Sequence, residues 1–122
     1  MTSDESRLRL ADYLSHMLEA IRLAREYVAG VSKDDFIKDR RTQQAVVLNL
    51  ITIGEAASRI VTEHKDFATV HSEIPWAQMR GMRNRMAHGY FDIDLSIVWD
   101  TVQSSLPELE RQLGVVVSQT PH

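Results

Sequence analysis

The stretch Arg80-Gly-Met-Arg-Asn-Arg-Met-Ala-His-Gly-Tyr-Phe-Asp-Ile-Asp94 contains a predicted helix and the turn that ends it. Pro75 suits the first turn of this helix, because the N–H that proline lacks would have no partner there. The helix should stop at His88, because Gly89 tolerates the left-handed conformation that ends many helices. No acidic residue occurs at positions 74–91, so the arginines of the stretch have no countercharge nearby in the sequence.

A helical wheel separates the residue types of this helix. One stripe is apolar and should be buried; it consists of Met79, Met82 and Met86. A second row, which we call the polar edge, is spaced by four residues and consists of Arg80, Asn84 and His88. Arg83 lies at the border between the polar edge and the methionines, whereas Gln78 and Arg85 lie opposite and should face solvent. The basic groups therefore form a rim beside the core stripe.

Two helices are predicted before this stretch from apolar residues at steps of three and four. The first runs from Asp4 to Ala29, and Gly30 ends it. The second runs from about Arg40 to Lys65 and is apolar most of the way round, so we expect more than one helix to pack on it. Small residues at positions 54 and 56–58 should let a neighbouring helix approach closely there.

A further helix is predicted after the stretch, from Leu95 to about Leu113. Asp92 and Asp94 both offer a side chain that can cap its first turn. Pro107 lies inside the pattern and should bend or split this helix, because proline removes a helical hydrogen bond.

The remaining segments are predicted to be connectors. Residues 31–39 should hold one helical turn that Ser32 caps, with Phe36 and Ile37 covering one end of the bundle. Residues 66–74 read as a loop, and residues 115–122 as a frayed tail.

Composition bounds the class of protein. At 122 residues and 43% hydrophobic content, we expect a single domain over residues 1–122, with its core at about 4–113 and a tail at 114–122. The fold should be all-α, an up-and-down bundle of four main helices plus a short turn. The absence of cysteine, signal peptide and any apolar run of bilayer length favours a cytoplasmic protein that does not contact a membrane. A formal net charge of −3 argues against a general nucleic-acid coat but permits a local basic site.

Arg83 and His88 are the residue types that RNA cleavage without a metal requires. Such a reaction needs a base for the ribose 2′-OH, a cation for the phosphate and an acid for the leaving oxygen. Histidine suits the proton transfers, because its ordinary pKa is about 6.5. Arginine suits the phosphate, because it stays charged and can hold two oxygens. Asn84 could orient the imidazole or the substrate.

The spacing of these two residues raises a geometric question. Five residues along a helix correspond to about 140° of rotation, so one Arg83–His88 pair is not a close couple on one face. Either the long arginine reaches past the helix end, or two copies of the chain face one another across a two-fold axis. We favour the second arrangement. The structural alternative is that His88 only interacts with the helix dipole and that the arginines are a solvated face.

The string from Arg83 to Tyr90 resembles the R-x4-H-x-Y motif of the HEPN superfamily, specifically the HepT-like toxin ribonucleases. The resemblance covers most of residues 8–113 in order and helix layout. It includes three further strings, Ile53-Gly54-Glu55-Ala56-Ala57, Ile74-Pro75-Trp76 and Tyr90-Phe91-Asp92-Ile93-Asp94.

This resemblance implies properties that the residues alone do not. It implies an all-helical endoribonuclease that dimerises, or forms a higher even assembly, so that paired motifs line one cleft. It implies a toxin–antitoxin module whose antitoxin is a minimal nucleotidyltransferase of the MntA type, which transfers AMP from ATP to Tyr90. Arg83 and His88 would be catalytic, with Arg80, Asn84 and Tyr90 positioning the RNA. No cofactor and no metal are expected.

Other features allow more than one interpretation. Glu55, inside an apolar run, could reach solvent or could pair with an arginine of the basic rim; we weigh the two equally. Asp92 and Asp94 resemble a metal pair, but helix capping explains both. Trp76 and Trp99 read as core residues rather than base-stacking platforms, and surface positions are expected for His16, His64, His71 and His122. The rival function is a catalytically silent bundle that docks a nucleotidyltransferase or a nucleotide.

Overall fold

The computed structural model describes residues 3–89 and 92–119, and in these two ranges every regular element is helical. The elements in chain order are α1 (Ser3–Tyr27), α2 (Lys33–Lys38), α3 (Arg40–Glu63), α4 (Lys65–Val70), α5 (Trp76–His88), α6 (Leu95–Asp100), a π-helical turn (Thr101–Ser105) and α7 (Leu106–Gln119). The all-α prediction is confirmed. The expectation of a single domain over the whole chain stays a prediction.

Helix α3 is the centre of the bundle, because it packs against both α1 and α5, while α7 packs against α1. Eight residues of α3 are buried, from Val46 to Ile60. The predicted contact of this helix with several neighbours is therefore confirmed. Helix α3 is also long and apolar enough to cross a membrane by length and composition alone, so the expectation that no apolar run reaches bilayer length is wrong. Its place in the core accounts for that apolar character.

The structure corrects the predicted connectors. Residues 65–70 form α4 rather than a loop, and α7 continues to Gln119, so Val115 does not begin a frayed tail. Val116 is only 2% exposed, which extends the core beyond position 113. In α2 the predicted cap Ser32 and the buried Phe36 are confirmed. Ile37 is 42% exposed, so the prediction that it covers the end of the bundle together with Phe36 is wrong.

The glycines at two helix ends differ. Gly30, after α1, has a φ of 75°, the left-handed conformation that only glycine adopts at little cost. Gly89, after α5, has a φ of −119°, and its N–H donates to the carbonyl of Arg85. Helix α5 therefore ends where predicted, but the expected left-handed residue at Gly89 is wrong.

The predicted interruption near Pro107 takes the form of a π-helical turn at Thr101–Ser105, immediately before α7. The N–H of Leu106 donates to the carbonyl of Thr101, five residues earlier rather than four. Proline removes one helical hydrogen bond and its ring clashes with the preceding turn, so a wider turn at this point has a local cause.

Asp39 provides a prediction about stability and pH. Its side chain caps α3 by accepting hydrogen bonds from the hydroxyl and the backbone N–H of Thr42, and these bonds lower the pKa of the Asp39 carboxyl. A lowered folded-state pKa stabilises the protein above the ordinary carboxyl pKa, and the contribution disappears as pH falls through the folded-state pKa. Asp39→Ala should therefore lower the Tm at pH 7, and the difference from wild type should shrink in acid. A Tm difference that does not depend on pH would contradict this.

Candidate functional site

The site begins with an unusually close contact between α3 and α5. A Cβ added to Gly54 of α3 would lie 2.2 Å from the Cβ of Arg83 and 2.7 Å from the backbone oxygen of Met79, both on α5. Real Cβ atoms do not approach other atoms so closely. The missing side chain at Gly54 therefore lets α5 lie directly on α3, as the small residues predicted. The buried stripe Met79, Met82 and Met86 completes this interface.

The Arg83 side chain crosses this contact, and its guanidinium group contacts two residues of α3. Its Nη1 is 2.9 Å from Oε1 of Glu55, and its Nη2 donates to Oγ of Ser58 at 3.3 Å. The Arg83 side chain is 25% exposed and that of Glu55 is 53% exposed. Glu55 thus reaches solvent and also pairs with an arginine, so the interpretation of Glu55 as a partner of the basic rim is confirmed. Two contacts fix the direction of the guanidinium while one side of it stays open to solvent.

The Nε of Arg83 is buried and has no hydrogen-bond partner in the part of the chain that the structure describes. Arginine therefore uses its two terminal nitrogens, not its full set of donors, to contact α3. The aliphatic stem, which carries Nε, is enclosed by the α3–α5 contact at Gly54. This enclosure limits the freedom of the Arg83 side chain, a quarter of which stays exposed to solvent.

The polar edge of α5 is exposed at all three positions, Arg80, Asn84 and His88, as the wheel predicted. His88 is the last residue of α5, so its imidazole stands at the C-terminal end of this helix. Gln78 and Arg85 are also exposed, and Arg83 is half-buried at the border between the two faces. Tyr90 lies outside the described residues.

Within one chain, Arg83 and His88 point in different directions. The Arg83 guanidinium contacts Glu55 and Ser58 on α3, whereas His88 is exposed at the end of α5, about 140° further round the helix. The chain therefore presents a fixed cation and an exposed imidazole, the two groups needed for phosphate binding and proton transfer. Because the Arg83 guanidinium contacts α3, it does not extend past the end of α5 toward His88. The alternative, in which two copies of the chain bring the two groups together, stays a prediction.

Sequence reasoning did not identify Ser58 as a contact of Arg83, although it noted the residue as small. The spacing along the sequence could have identified this contact. Ser58 follows Gly54 by four residues and so lies one turn further along the same face of α3. The same spacing rule explains why a side chain that crosses α3 at Gly54 can reach Ser58.

The other candidate residues have mostly structural positions. Asp94 caps α6 by accepting from the backbone N–H groups of Ser96 and Ile97, as predicted, whereas Asp92 lies outside this cap. The indole of Trp76 is buried and donates to two backbone carbonyls, while Trp99 is half-buried against Phe36.

The histidines outside the motif vary in exposure. His16 is exposed as expected, but half-buried positions make the surface prediction wrong for His64 and His71; His122 lies outside the described residues. In the described ranges 3–89 and 92–119, no three His, Asp or Glu side chains converge on a point that could hold a metal ion.

Comparison with known proteins gives a consistent assignment. Residues 17–116 match the family model described as "Ribonuclease HepT-like". The chain is 36% identical over 107 residues to "Putative RNase TTE0752" of Caldanaerobacter subterraneus subsp. tengcongensis, covering 88% of this chain and 93% of that protein. It is 40% identical over 99 residues to "Probable ribonuclease HepT" of Thermococcus cleftensis, covering 81% of this chain and 87% of that protein. No solved structure matches. The family model spans the C-terminal part of α1 and all of α3 and α5, and with them the whole site, so the chain belongs to the HepT-like ribonuclease family.

Proposed function

We propose that this chain is a metal-independent endoribonuclease whose active site forms where two copies bring their α5 helices together. The observation that carries the proposal is the Arg83 guanidinium, held by Glu55 and Ser58 beside an exposed edge that ends in His88. The family assignment supports RNA as the substrate.

The proposed reaction is attack by a ribose 2′-OH on the adjacent phosphate. An imidazole of His88 takes the proton from the 2′-OH as the O2′–P bond forms. Arg83 stabilises the negative charge that builds on the phosphate oxygens. As the P–O5′ bond breaks, the O5′ atom takes a proton from a protonated His88 imidazole or from water, so the products carry a 2′,3′-cyclic phosphate and a 5′-OH. Arg80, Asn84 and Tyr90 would position the RNA.

One exposed apolar residue of α3 lies on the same face as Glu55. Leu48 is 63% exposed on α3 and precedes Glu55 by seven residues, so the two side chains lie within about 20° of the same face of the helix. Pairing of two copies across this face would remove the Leu48 side chain from water, which is favourable. Larger even assemblies are compatible with the same pairing.

The test is cleavage of a labelled RNA by purified protein in EDTA. Wild type should cleave and leave cyclic-phosphate ends, while His88→Ala should lose activity by at least about 10²-fold, because a positioned general acid or base contributes roughly that much. His16→Ala is the matched control, because His16 is an exposed histidine on α1, away from the site. It should cleave like wild type.

The same assay distinguishes the nuclease from the rival function, a catalytically silent docking module. If clean, unmodified wild-type protein does not cleave RNA but binds a nucleotide or a nucleotidyltransferase, the chain is a docking module and the nuclease proposal is wrong. If His88→Ala cleaves like wild type, His88 has no catalytic role.

We further propose that the enzyme is the toxin of a cytoplasmic toxin–antitoxin module and that AMPylation of Tyr90 by an MntA-type nucleotidyltransferase silences it. Tyr90 is two residues after His88 in the sequence, so an AMP group there adds negative charge and bulk beside the site. Both effects should exclude RNA phosphate. Mass spectrometry after co-expression with such an enzyme should find AMP on Tyr90 and none on the Tyr90→Phe variant.

A further inference from the structure

The outer face of α1 is a second surface that the proposed active site does not use. A groove of about 750 Å³ runs between α1 and α7, and its apolar lining includes Leu10, Leu14, Leu18 and Val117. Leu8 stands at its rim with 67% of its surface exposed. The groove contains none of the residues of the site on α3 and α5. A groove with an apolar lining can accept the apolar face of a helix from another protein.

The residues of this face repeat with helical spacing on the side of α1 that points away from α3. The row consists of Asp4, Leu8, Ala11, Ser15, Leu18 and Arg22. Tyr13 points the other way, because its hydroxyl donates to Glu63 of α3. The centre of the row is narrow, since Ala11 and Ser15 are small, so another helix can cross α1 there at a short distance.

The row is palindromic about the level of residue 13. Positions 4 and 22, 8 and 18, and 11 and 15 each have residue 13 as their midpoint. The apolar and small positions are symmetric about that level, because Leu8 matches Leu18 and Ala11 matches Ser15. The charges are antisymmetric, because Asp4 matches Arg22.

This pattern distinguishes an antiparallel from a parallel neighbour. If a second α1 crosses antiparallel at the level of residue 13, Asp4 of one copy lies level with Arg22 of the other, at both ends of the contact. A parallel crossing would bring Asp4 level with Asp4 and Arg22 level with Arg22, which is repulsive.

Within one chain, the side chains of Asp4 and Arg22 are exposed, and each pairs with a neighbour on α1. Arg7 lies 3.0 Å from Asp4, and Arg22 lies 3.0 Å from Glu19, each within one turn of α1. The Asp4 side chain is 85% exposed and that of Arg22 is 63% exposed. Exposed pairs of this kind contribute little alone, so a contact with a second copy can join them into a larger network at small cost.

From these observations we propose that the outer face of α1 binds the same face of a second copy of this chain, antiparallel about a two-fold axis at the level of residue 13. The surface is distinct from the α3–α5 site. When both surfaces are used, active dimers join into larger even assemblies. The proposal needs no enzymatic activity and stands independently of the ribonuclease proposal.

Charge exchange tests the antiparallel register directly. Mass is measured by light scattering over a range of protein concentrations for wild type, Asp4→Arg, Arg22→Asp and the double variant. Each single reversal places like charges level at both ends and should halve the mass of the assembly. The double variant Asp4→Arg with Arg22→Asp restores opposite charges in the antiparallel contact and should restore the wild-type mass. Asp66→Arg makes the same change at an exposed position in the first turn of α4, outside the groove, and should leave the mass unchanged.

Three outcomes would overturn the proposal. These are a wild type that stays monomeric, single reversals that keep the wild-type mass, and a double variant that fails to recover it while circular dichroism confirms wild-type helix content. Cleavage of RNA by the single variants is measured alongside and should persist. If wild type does not cleave RNA, the ribonuclease proposal is wrong, whereas the mass measurements still test the contact between two α1 helices.

Discussion

Gly54→Ala should destabilise the protein by about 1–3 kcal/mol, although alanine is the better helix former. The added methyl group would need the space that Arg83 Cβ and the backbone oxygen of Met79 occupy, at 2.2 and 2.7 Å. A backbone oxygen cannot rotate away, so α5 itself must move off α3. We expect a fall in Tm of roughly 5–10 °C. Because Arg83 is part of the same contact, RNA cleavage should fall as well.

Gly114→Ala is the matched control for this substitution. Gly114 lies inside α7, and a Cβ added there would have nothing within 4 Å. The same chemical change should therefore leave the Tm unchanged or raise it, because alanine stabilises a helix by up to about 1 kcal/mol relative to glycine. Equal effects at positions 54 and 114 would mean that the α3–α5 contact is less tight than these distances indicate.

Arg83→Lys should lower RNA cleavage by about 10²- to 10³-fold although it keeps the positive charge, because removal of one preorganised group that stabilises the transition state costs about that much. The guanidinium contacts Glu55 through Nη1 and Ser58 through Nη2, a fork that a single ammonium group cannot reproduce. The ammonium group of a lysine at this position can pair with Glu55 or with the phosphate. It cannot contact α3 and at the same time donate two coplanar hydrogen bonds to the RNA.

Arg85→Lys serves as the control, because Arg85 is exposed on the opposite face of the same helix. It should retain cleavage close to that of wild type. The expected contrast is in the cleavage rate at saturating RNA, with circular dichroism and Tm used to verify that both variants fold. Near-wild-type cleavage by Arg83→Lys would show that charge alone suffices and that the geometry of the fork has no role.

The parts of the fold that periodicity controls could be predicted from the sequence. The bounds of α5 and its methionine stripe follow from apolar spacing, a proline before the helix and a glycine after it. Helix α4 could not be predicted in the same way, because its six residues contribute only one buried side chain, Ala68. Short helices of this kind depend on tertiary packing rather than on a sequence pattern.

The C-terminal end of α7 also differs from the prediction. Residues 115–122 read as a frayed tail, because the last residues of a domain are commonly poorly ordered. Burial of Val116 against the bundle instead holds this segment in α7, which continues to Gln119.

The sequence could predict which residue types form the candidate site, but it could not predict which side chains contact one another there. The wheel placed Arg83 at the border of the buried stripe, and the structure agrees. Which acid it meets depends on how α5 crosses α3, and that crossing is fixed by the close approach at Gly54. A wheel describes one helix and cannot give the register between two. This is why Glu55 stayed one of two interpretations and why Ser58 was missed.

The most direct test of the central claim is a mixing experiment with two inactive variants, Arg83→Ala and His88→Ala. The two proteins are unfolded together, refolded at equal concentration and assayed for RNA cleavage in EDTA. If one chain supplies Arg83 and the other supplies His88, each mixed dimer contains one intact site, and the mixture should recover about a quarter of wild-type activity. If the mixture stays as inactive as either variant while forming mixed dimers, the two groups do not act across a two-fold axis and the account is wrong.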